Sequence, residues 1–386
     1  MIADFFTPVH PDVLGSTKDY HPASVRNTIQ INDGTLPNFE ESKVAIIGVP
    51  DFRGGQMEDM EGVDAIRSEF YRLFAGRWGF EISDLGDILP GESMADTQYA
   101  LRSAVEYLLK QNVIPVILGG SQDLTLPMFQ AYGAMEQSVN IASVDSSFDL
   151  GIPGQPLSNG SYLSHIVMDK SGNLFNFSNL GYQTYYINKD EIDLMENMFF
   201  ETHRLGTVQA DIREAEPILR DADLITFDIN AVRMSEAPAN KYGSPNGFYG
   251  EEFCALARYA GMSDKCSSFG IFEYLGGEDQ NNHTARLIAQ TIWYFMEGVS
   301  LRYNDFPFGN RKTYAHYIVP MEEIDMDLSF YKSDKSGRWW IEVPVEPNLE
   351  LSHNRHMLIP CSYKDYQQAT EQEVPDRWWR AFKRLS

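Results

Sequence analysis

The sequence predicts an α/β fold: a three-layer α/β/α domain on a doubly wound parallel sheet, extended at the C-terminus by a β-hairpin and a helix. Three observations predict it. Short apolar runs end repeatedly at Gly-Gly or at an acidic residue, and amphipathic segments with helical spacing follow them. Strand and helix alternate roughly seven times up to residue 300, which is typical of parallel sheets covered on both faces. After residue 300 the pattern changes to that of a hairpin.

The elements are predicted in chain order. Residues 1–42 are rich in Pro, Asn, Asp and Ser without a sustained period, so we expect an irregular N-terminal arm. In the main domain, residues 43–300, strands are predicted at 43–50, 80–88, 113–120, 140–149, 179–187, 223–230 and 268–274. Helices are predicted at 62–74, 93–111, 121–133, 162–168, 189–197, 207–220, 249–261 and 281–297.

The C-terminal extension, residues 301–386, is predicted to pack on the core. Residues 328–345 alternate in a way that predicts a hairpin turning at residues 333–337. Residues 374–385 predict a terminal helix with Trp378 and Phe382 on one face. We expect the Trp339-Trp340 and Trp378-Trp379 pairs to pack the extension, unless they are exposed and mark a protein interface.

Composition excludes several classes of protein. The chain has 386 residues, 43% hydrophobic and 13% aromatic, which disfavours disorder. Its formal net charge is −24, from 31 basic and 55 acidic side chains, so nucleic acid and anionic membranes are poor partners, whereas a small cationic ligand is compatible. No secretory pattern begins the chain and no run approaches about 18 apolar residues, which predicts a cytoplasmic protein without membrane insertion. The three cysteines show no metal-binding spacing.

Four acidic residues stand where predicted strands end. They are Asp145, Asp149, Asp228 and Glu273. If the strands are parallel neighbours, their carboxyl ends share one crevice, which is where open α/β sheets bind ligands. The sequence therefore predicts a site lined by converging carboxylates.

With these residues in place, the chain resembles the ureohydrolase family, which comprises arginases, agmatinases and formimidoylglutamases. The resemblance runs from Lys43 to Gly298 and includes the Gly119-Gly120 turn, the D-x-x-x-D spacing of Asp145 and Asp149, the F-D-x-N strand end at residues 227–230, and Phe272-Glu273 before a helix. It implies an arginase-like domain that binds two manganese ions and hydrolyses a C–N bond of a guanidinium or formimino group. It also implies a homo-oligomer, and it gives Glu273 the role of receiving the substrate's cationic group.

The sequence departs from the family's metal motifs at several positions. Asp145, Asp149 and Asp228 match metal ligands, so three of the six ligand positions survive. Aligned on the Gly-Gly turn, Gln122, Ser147 and Asn230 stand at the other three ligand positions. Two further aspartates of the motifs are replaced by Ser121 and Arg233. Gln122 and Ser147 replace the two histidines, and Arg233 replaces an aspartate, so two dications would be held less well.

Two function classes follow. The first, favoured by the ligand count, is a pseudoenzyme without the metal centre that acts by binding or assembly, with a protein partner or as a homo-oligomer. In it, Glu273, Arg233 and Asn230 would bind a ligand, and Arg233 could pair with Asp228 or Asp145. The alternative is a hydrolase of linear amidines, similar to formimidoylglutamase, with an altered site. Its cofactor would be Mn²⁺, or a single Mg²⁺ or Ca²⁺ on Gln122, Asp145, Asp149, Asp228 and Asn230, all of which offer oxygen ligands.

Overall fold

A nine-stranded parallel sheet forms the centre of the structure. The structure, a computed structural model, describes residues 2–56, 62–135, 137–152, 154–171, 173–307, 314–322, 324–344 and 357–385. In that part of the chain the strand order is β1-β3-β2-β4-β9-β8-β5-β6-β7. The strands are β1 (Gln30–Ile31), β2 (Val44–Val49), β3 (Ile82–Asp87), β4 (Ile114–Gly119), β5 (Val139–Val144), β6 (Leu174–Tyr182), β7 (Glu201–Arg204), β8 (Leu224–Asp228) and β9 (Ser268–Phe272). This confirms the predicted three-layer, doubly wound fold.

Helices cover both faces of the sheet. They are α1 (Pro11–Leu14), α2 (Val25–Thr28), α3 (Gly62–Arg72), α4 (Met94–Lys110), α5 (Thr125–Gln130), α6 (Tyr162–Val167), α7 (Lys189–Asn197), α8 (Leu205–Ala210), α9 (Ala215–Asp221), α10 (Gly250–Gly261) and α11 (His283–Ser300). Alternate residues of β2 enter two separate cores: Val44 and Ile46 pack with α3, α10 and α11, whereas Ala45 and Ile47 pack with α4 and α5. The continuous apolar runs of the central strands thus reflect burial on both faces.

Local signals place the helix ends. The Ser93 side chain accepts a hydrogen bond from the Asp96 backbone, and the Asp96 carboxylate accepts one from the Ser93 N–H at 2.7 Å, a capping box that begins α4. None of the described helices is both long enough and apolar enough to cross a membrane.

The strands that carry the predicted site residues are adjacent. β4, β9, β8 and β5 lie side by side in the middle of the sheet, so their carboxyl ends meet at one edge. The Gly119-Gly120 turn permits this packing. A Cβ at Gly119 would lie 2.2 Å from the Phe272 ring, and one at Gly120 would lie 2.1 Å from the Asp51 carbonyl oxygen. The two glycines therefore let the β4 turn approach β9 and the loop after β2.

Both ends of the chain contain more regular structure than the sequence indicates. The N-terminal segment contributes α1, α2 and the edge strand β1, which pairs parallel with β3. The C-terminal part forms a four-stranded antiparallel sheet of β10 (Tyr314–Met321), β11 (Met326–Ser333), β12 (Trp339–Glu342) and β13 (Leu358–Cys361), with helices α12 (Tyr363–Thr370) and α13 (Asp376–Leu385). The predicted hairpin is the β11–β12 pair, whereas Val345 lies outside the described residues.

The tryptophans of the extension have different environments. Trp378 is buried and stacks on Phe382 with ring centroids 5.1 Å apart, so the two residues share a face of α13. Trp340 is also buried, and the Arg220 guanidinium of α9 lies 4.5 Å from its ring centroid. Trp379 is 38% exposed. The extension therefore has its own aromatic core and contacts the main domain through Trp340.

Candidate functional site

Three carboxylates converge at the carboxyl ends of β5 and β8. Asp145 directly follows β5, Asp149 lies four residues further on, and Asp228 is the last residue of β8. One oxygen from each carboxylate lies within 4.8 Å of those of the other two. We call these residues the Asp trio. The sequence predicted that these acids would share a crevice, and the sheet order brings them together.

The loop after β5 fixes the first two members of the trio. Asp149 has a φ of 54°, in the left-handed region that non-glycine residues seldom adopt. Ser147 lies between the two acids. Its N–H donates to Asp145 Oδ1 at 3.0 Å and its hydroxyl donates to Asp149 Oδ1 at 2.7 Å. The strained loop thereby turns both carboxylates toward the same point, as is common at binding sites.

The carboxylate oxygens of the trio accept fewer hydrogen bonds than they could. Asp228 Oδ1 accepts the Asn230 N–H at 2.6 Å. Asp145 Oδ2 is buried and has no hydrogen-bond donor among the described residues. A buried carboxylate oxygen without a donor costs free energy unless a proton or a cation satisfies it.

The electrostatics of the trio favour an added positive charge. Burial, reinforced by the charge of Asp228, raises the pKa of Asp145 well above its usual range. Burial and the charge of Asp145 do the same to the pKa of Asp149, and burial with the charges of Glu273 and Asp149 does so to the pKa of Asp228. Within the described ranges, no Lys, Arg or His forms an ion pair with the trio. The cluster could therefore hold a metal ion or shared protons.

Gln122 and Asn230, the two neutral candidate ligands, follow β4 and β8, which are separated in the sheet by β9. Gln122 is fully buried, and its side-chain amide donates to Thr226 Oγ1 of β8 at 3.3 Å. Asn230 lines the crevice, and its Oδ1 accepts the Tyr242 N–H at 3.4 Å. The Gln122 carbonyl oxygen Oε1, by contrast, is buried without a hydrogen-bond donor among the described residues, so it is available to a cation beside the charged oxygens of the Asp trio.

Glu273 lies behind the crevice wall. It has a φ of 67° and is buried, and its two carboxylate oxygens accept the Gln122 N–H at 2.8 Å and the Asn159 side-chain amide at 3.1 Å. Burial raises its pKa to about 7. These two hydrogen bonds hold the carboxylate in place. Asn159, rather than Glu273, faces the cavity.

The structure does not bring Arg233 to the acids. Its guanidinium donates to the Gly247 carbonyl at 3.0 Å and lies 3.3 Å from the ring centroid of Tyr249. The expectation that Arg233 pairs with Asp228 or Asp145 is therefore wrong. The reason is the local backbone. A short helical turn at Ile229–Ala231 follows β8, and the backbone of Arg233 then pairs with that of Ser244, beside the residues that the guanidinium contacts. The guanidinium gains a cation–π contact and a backbone acceptor there.

A cavity of about 500 Å³ opens onto the trio, within the range of small-molecule sites. Asp149 and Asp228 contribute to its wall together with Ser146, Ser147 and Asn230. The other lining residues were not singled out by the sequence, because no motif marks them: Ser146, Asn159, Gly160, Tyr186, Lys241, Tyr242 and Gly243. Tyr186 lies in a short helical turn after β6 and not in the strand predicted there.

Comparison with known proteins is consistent across sequence and structure. The model of the Arginase family matches residues 42–297. A formimidoylglutamase of Streptococcus gordonii is 24% identical over 292 residues, which cover 70% of this chain and 88% of that protein. A crystal structure of Trypanosoma cruzi formiminoglutamase with Mn²⁺ superposes with a TM-score of 0.64 at 18% identity, covering 72% of this chain and 99% of the other. Formimidoylglutamase of Bacillus subtilis gives 0.63 at 18% identity, with 70% and 91% covered.

Proposed function

This chain belongs to the arginase family, and on that premise we propose that it hydrolyses a C–N bond of a linear amidine with one divalent cation held by the Asp trio. The observation that carries the proposal is the trio itself. Three carboxylates, of which Asp145 and Asp228 are buried and Asp149 is half-buried, converge within 4.8 Å beside a cavity that Asp149 and Asp228 line, without a basic partner among the described side chains. A purely structural cluster would be expected to contain a counter-charge.

The donor set fits a hard divalent cation. Asp145, Asp149 and Asp228 supply anionic oxygens, which Mg²⁺, Ca²⁺ and Mn²⁺ prefer. Asp145 Oδ2, buried without a hydrogen bond in the described structure, is available as a ligand. Ser147 and Gln122 stand at the family's histidine positions. The Ser147 hydroxyl donates to Asp149, whereas the buried Gln122 Oε1 has no donor in the described structure and could add one neutral oxygen ligand. One cation therefore fits this site better than two.

The chemistry divides between the cation and the protein. A bound divalent cation lowers the pKa of water and polarises the group under attack. The chain's own contribution is positioning. Asn159 is held by its bond to Glu273 and by the Gly160 N–H, which donates to Asn159 Oδ1 at 2.9 Å, so its remaining amide N–H is available to a ligand. The buried Glu273 fixes the ends of β4 and β9 through the Gln122 N–H. The trio's negative charge favours a cationic amidinium.

A specific observation also supports a second candidate, a binding protein without catalysis. The two positions of the family's histidines carry Gln122 and Ser147, which make hydrogen bonds of their own and add no imidazole. Such a site could bind a cationic ligand through the same acids without hydrolysing it. This candidate predicts saturable binding and no turnover.

Turnover by the metal-loaded protein distinguishes the two candidates. We expect protein incubated with stoichiometric Mn²⁺ or Mg²⁺ to hydrolyse N-formimidoyl-L-glutamate faster than agmatine or L-arginine, because the curated relatives described above are formimidoylglutamases. Asp145→Asn keeps the size of the side chain but removes a ligand charge, and we expect it to lower the rate at least about 100-fold. Folded, metal-bound protein that hydrolyses none of the three compounds would instead support the binding candidate.

A further inference from the structure

One side chain in the cavity has the opposite charge to the trio. Lys241, from the loop between β8 and α10, is the only basic residue among the described residues that line the cavity. It is exposed, and its ammonium group donates to the Gly55 carbonyl at 2.8 Å. The structure shows no carboxylate within 4.0 Å of Lys241 Nζ in the described ranges. The cavity wall therefore presents separate negative and positive groups.

The position of Lys241 is held by the protein on two sides. The Gly55 carbonyl accepts one of its three N–H groups, and the Tyr242 ring centroid lies 5.4 Å from Nζ. Tyr242 itself lines the cavity, and its backbone N–H donates to Asn230 Oδ1. These contacts keep the ammonium at the wall, while two N–H donors remain for a ligand.

We propose that Lys241 determines specificity by binding a carboxylate at the end of the substrate remote from the amidine. The inference rests on the proposed function, which places the amidine end of the substrate at the trio, and it assigns a binding partner to the carboxylate at the other end. An amidinium is attracted to the trio, whereas a carboxylate is repelled by it and attracted to Lys241. A dipolar ligand would thus enter in one orientation, which presents its C–N bond to the acids.

The alternative role for Lys241 is to neutralise the acids from a distance. In that case its charge would affect every cationic ligand similarly, whether or not the ligand carries a carboxylate. The two roles are separated by comparing ligands that differ only at the remote end. A suitable pair is 4-guanidinobutanoate and butylguanidine, in which a carboxylate replaces a methyl group at the same chain length.

The test is calorimetric binding of both probes to the full-length, Mn²⁺-loaded protein and to three variants. We expect the wild type to bind 4-guanidinobutanoate about tenfold more tightly than butylguanidine, because a charge-assisted contact is gained. Lys241→Met should reduce that preference to less than about twofold, and Lys241→Arg should retain part of it. Lys335→Met removes the same charge in the hairpin of the extension, away from the cavity, and should leave the preference unchanged.

The outcomes separate this inference from the proposed function. An equal preference in wild type and Lys241→Met, or no binding of either probe, would overturn the role of Lys241. A preference that disappears in Lys241→Met supports the role even if formimidoylglutamate is not hydrolysed, and that combination would contradict only the proposed function. Turnover of formimidoylglutamate with an unchanged KM in Lys241→Met would retain the function and overturn the inference.

Discussion

Asp228→Asn should change the stability of the metal-free protein and its response to metal in opposite directions. The substitution keeps the shape of the side chain and the acceptor for the Asn230 N–H, but it removes one of three clustered like charges. At a separation of 4.8 Å and an effective dielectric constant of about 20, two unit charges repel by about 3.5 kcal/mol. Protons taken up by the trio reduce this figure. We therefore expect the free energy of unfolding of the metal-free variant at pH 8 to rise by about 1–2 kcal/mol.

The metal response should decrease in the same variant. A ligand at 100 times its Kd stabilises the folded state by about 2.7 kcal/mol. Wild-type protein stripped with a chelator should gain stabilisation of this order on addition of Mn²⁺, whereas Asp228→Asn should gain much less because a ligand charge is lost. The assay is urea unfolding at pH 8, with and without Mn²⁺.

A second buried aspartate provides the control. Asp84 is fully buried and accepts hydrogen bonds from Arg67 Nε at 2.9 Å and from the Tyr71 hydroxyl at 2.8 Å. Asp84→Asn should lower the free energy of unfolding by about 3–5 kcal/mol, because it leaves Arg67 with one fewer charge partner, and it should preserve the metal response. The reasoning is refuted if metal-free Asp228→Asn is less stable than wild type and still responds fully to Mn²⁺.

Three further predictions concern stability. The pKa of Glu273 rises from an ordinary value near 4.5 to about 7 on folding. The stability that Glu273 contributes is therefore fully present below about pH 4 and is lost as the pH rises through 7. Urea unfolding of the metal-free protein should show lower stability at pH 8 than at pH 5, and equal or higher stability would contradict this prediction. Gly120→Ala places a Cβ 2.1 Å from a backbone carbonyl and should cost more than about 2 kcal/mol in denaturant titrations, whereas Gly206→Ala, with open space around it, should be neutral or stabilising. By calorimetry, Trp378→Ala should lower the free energy of unfolding by about 3–5 kcal/mol, whereas Trp379→Ala, at a half-exposed position, should lower it by about 1 kcal/mol or less. Equal losses would contradict the packing of Trp378 in the core of the extension.

The central fold could be predicted because its signals are local. The apolar runs of β4, β5, β8 and β9 end at polar or acidic residues that mark the site, and the alternation of strands with helices predicted that these strands are parallel. The extension was only partly predicted. The short strand Leu358–Cys361 gives no alternating pattern, since all four of its residues are buried, and its pairing with β12 depends on the tertiary fold.

In the candidate site, too, residues with a local sequence signal could be predicted, whereas those positioned by tertiary contacts could not. Asp145 and Asp228 could be placed together because both stand at strand ends, which meet at one edge of a parallel sheet, and Asp149 follows Asp145 at a spacing of four residues. The direction of Arg233 could not be predicted, because it depends on a cation–π contact with a tyrosine 16 residues later in the sequence. Lys241 lies in a loop where neither spacing nor composition indicates which side chain reaches the cavity.

Metal stoichiometry tests the central claim most directly. Purified protein is dialysed against Mn²⁺, Mg²⁺ or Ca²⁺, freed of unbound ion, and measured by elemental mass spectrometry beside the Asp145→Asn and Asp228→Asn variants. We expect about one divalent ion per chain in the wild type and a large loss in both variants. No bound ion in the wild type, or an ion content that neither substitution changes, would contradict a cation site on the Asp trio.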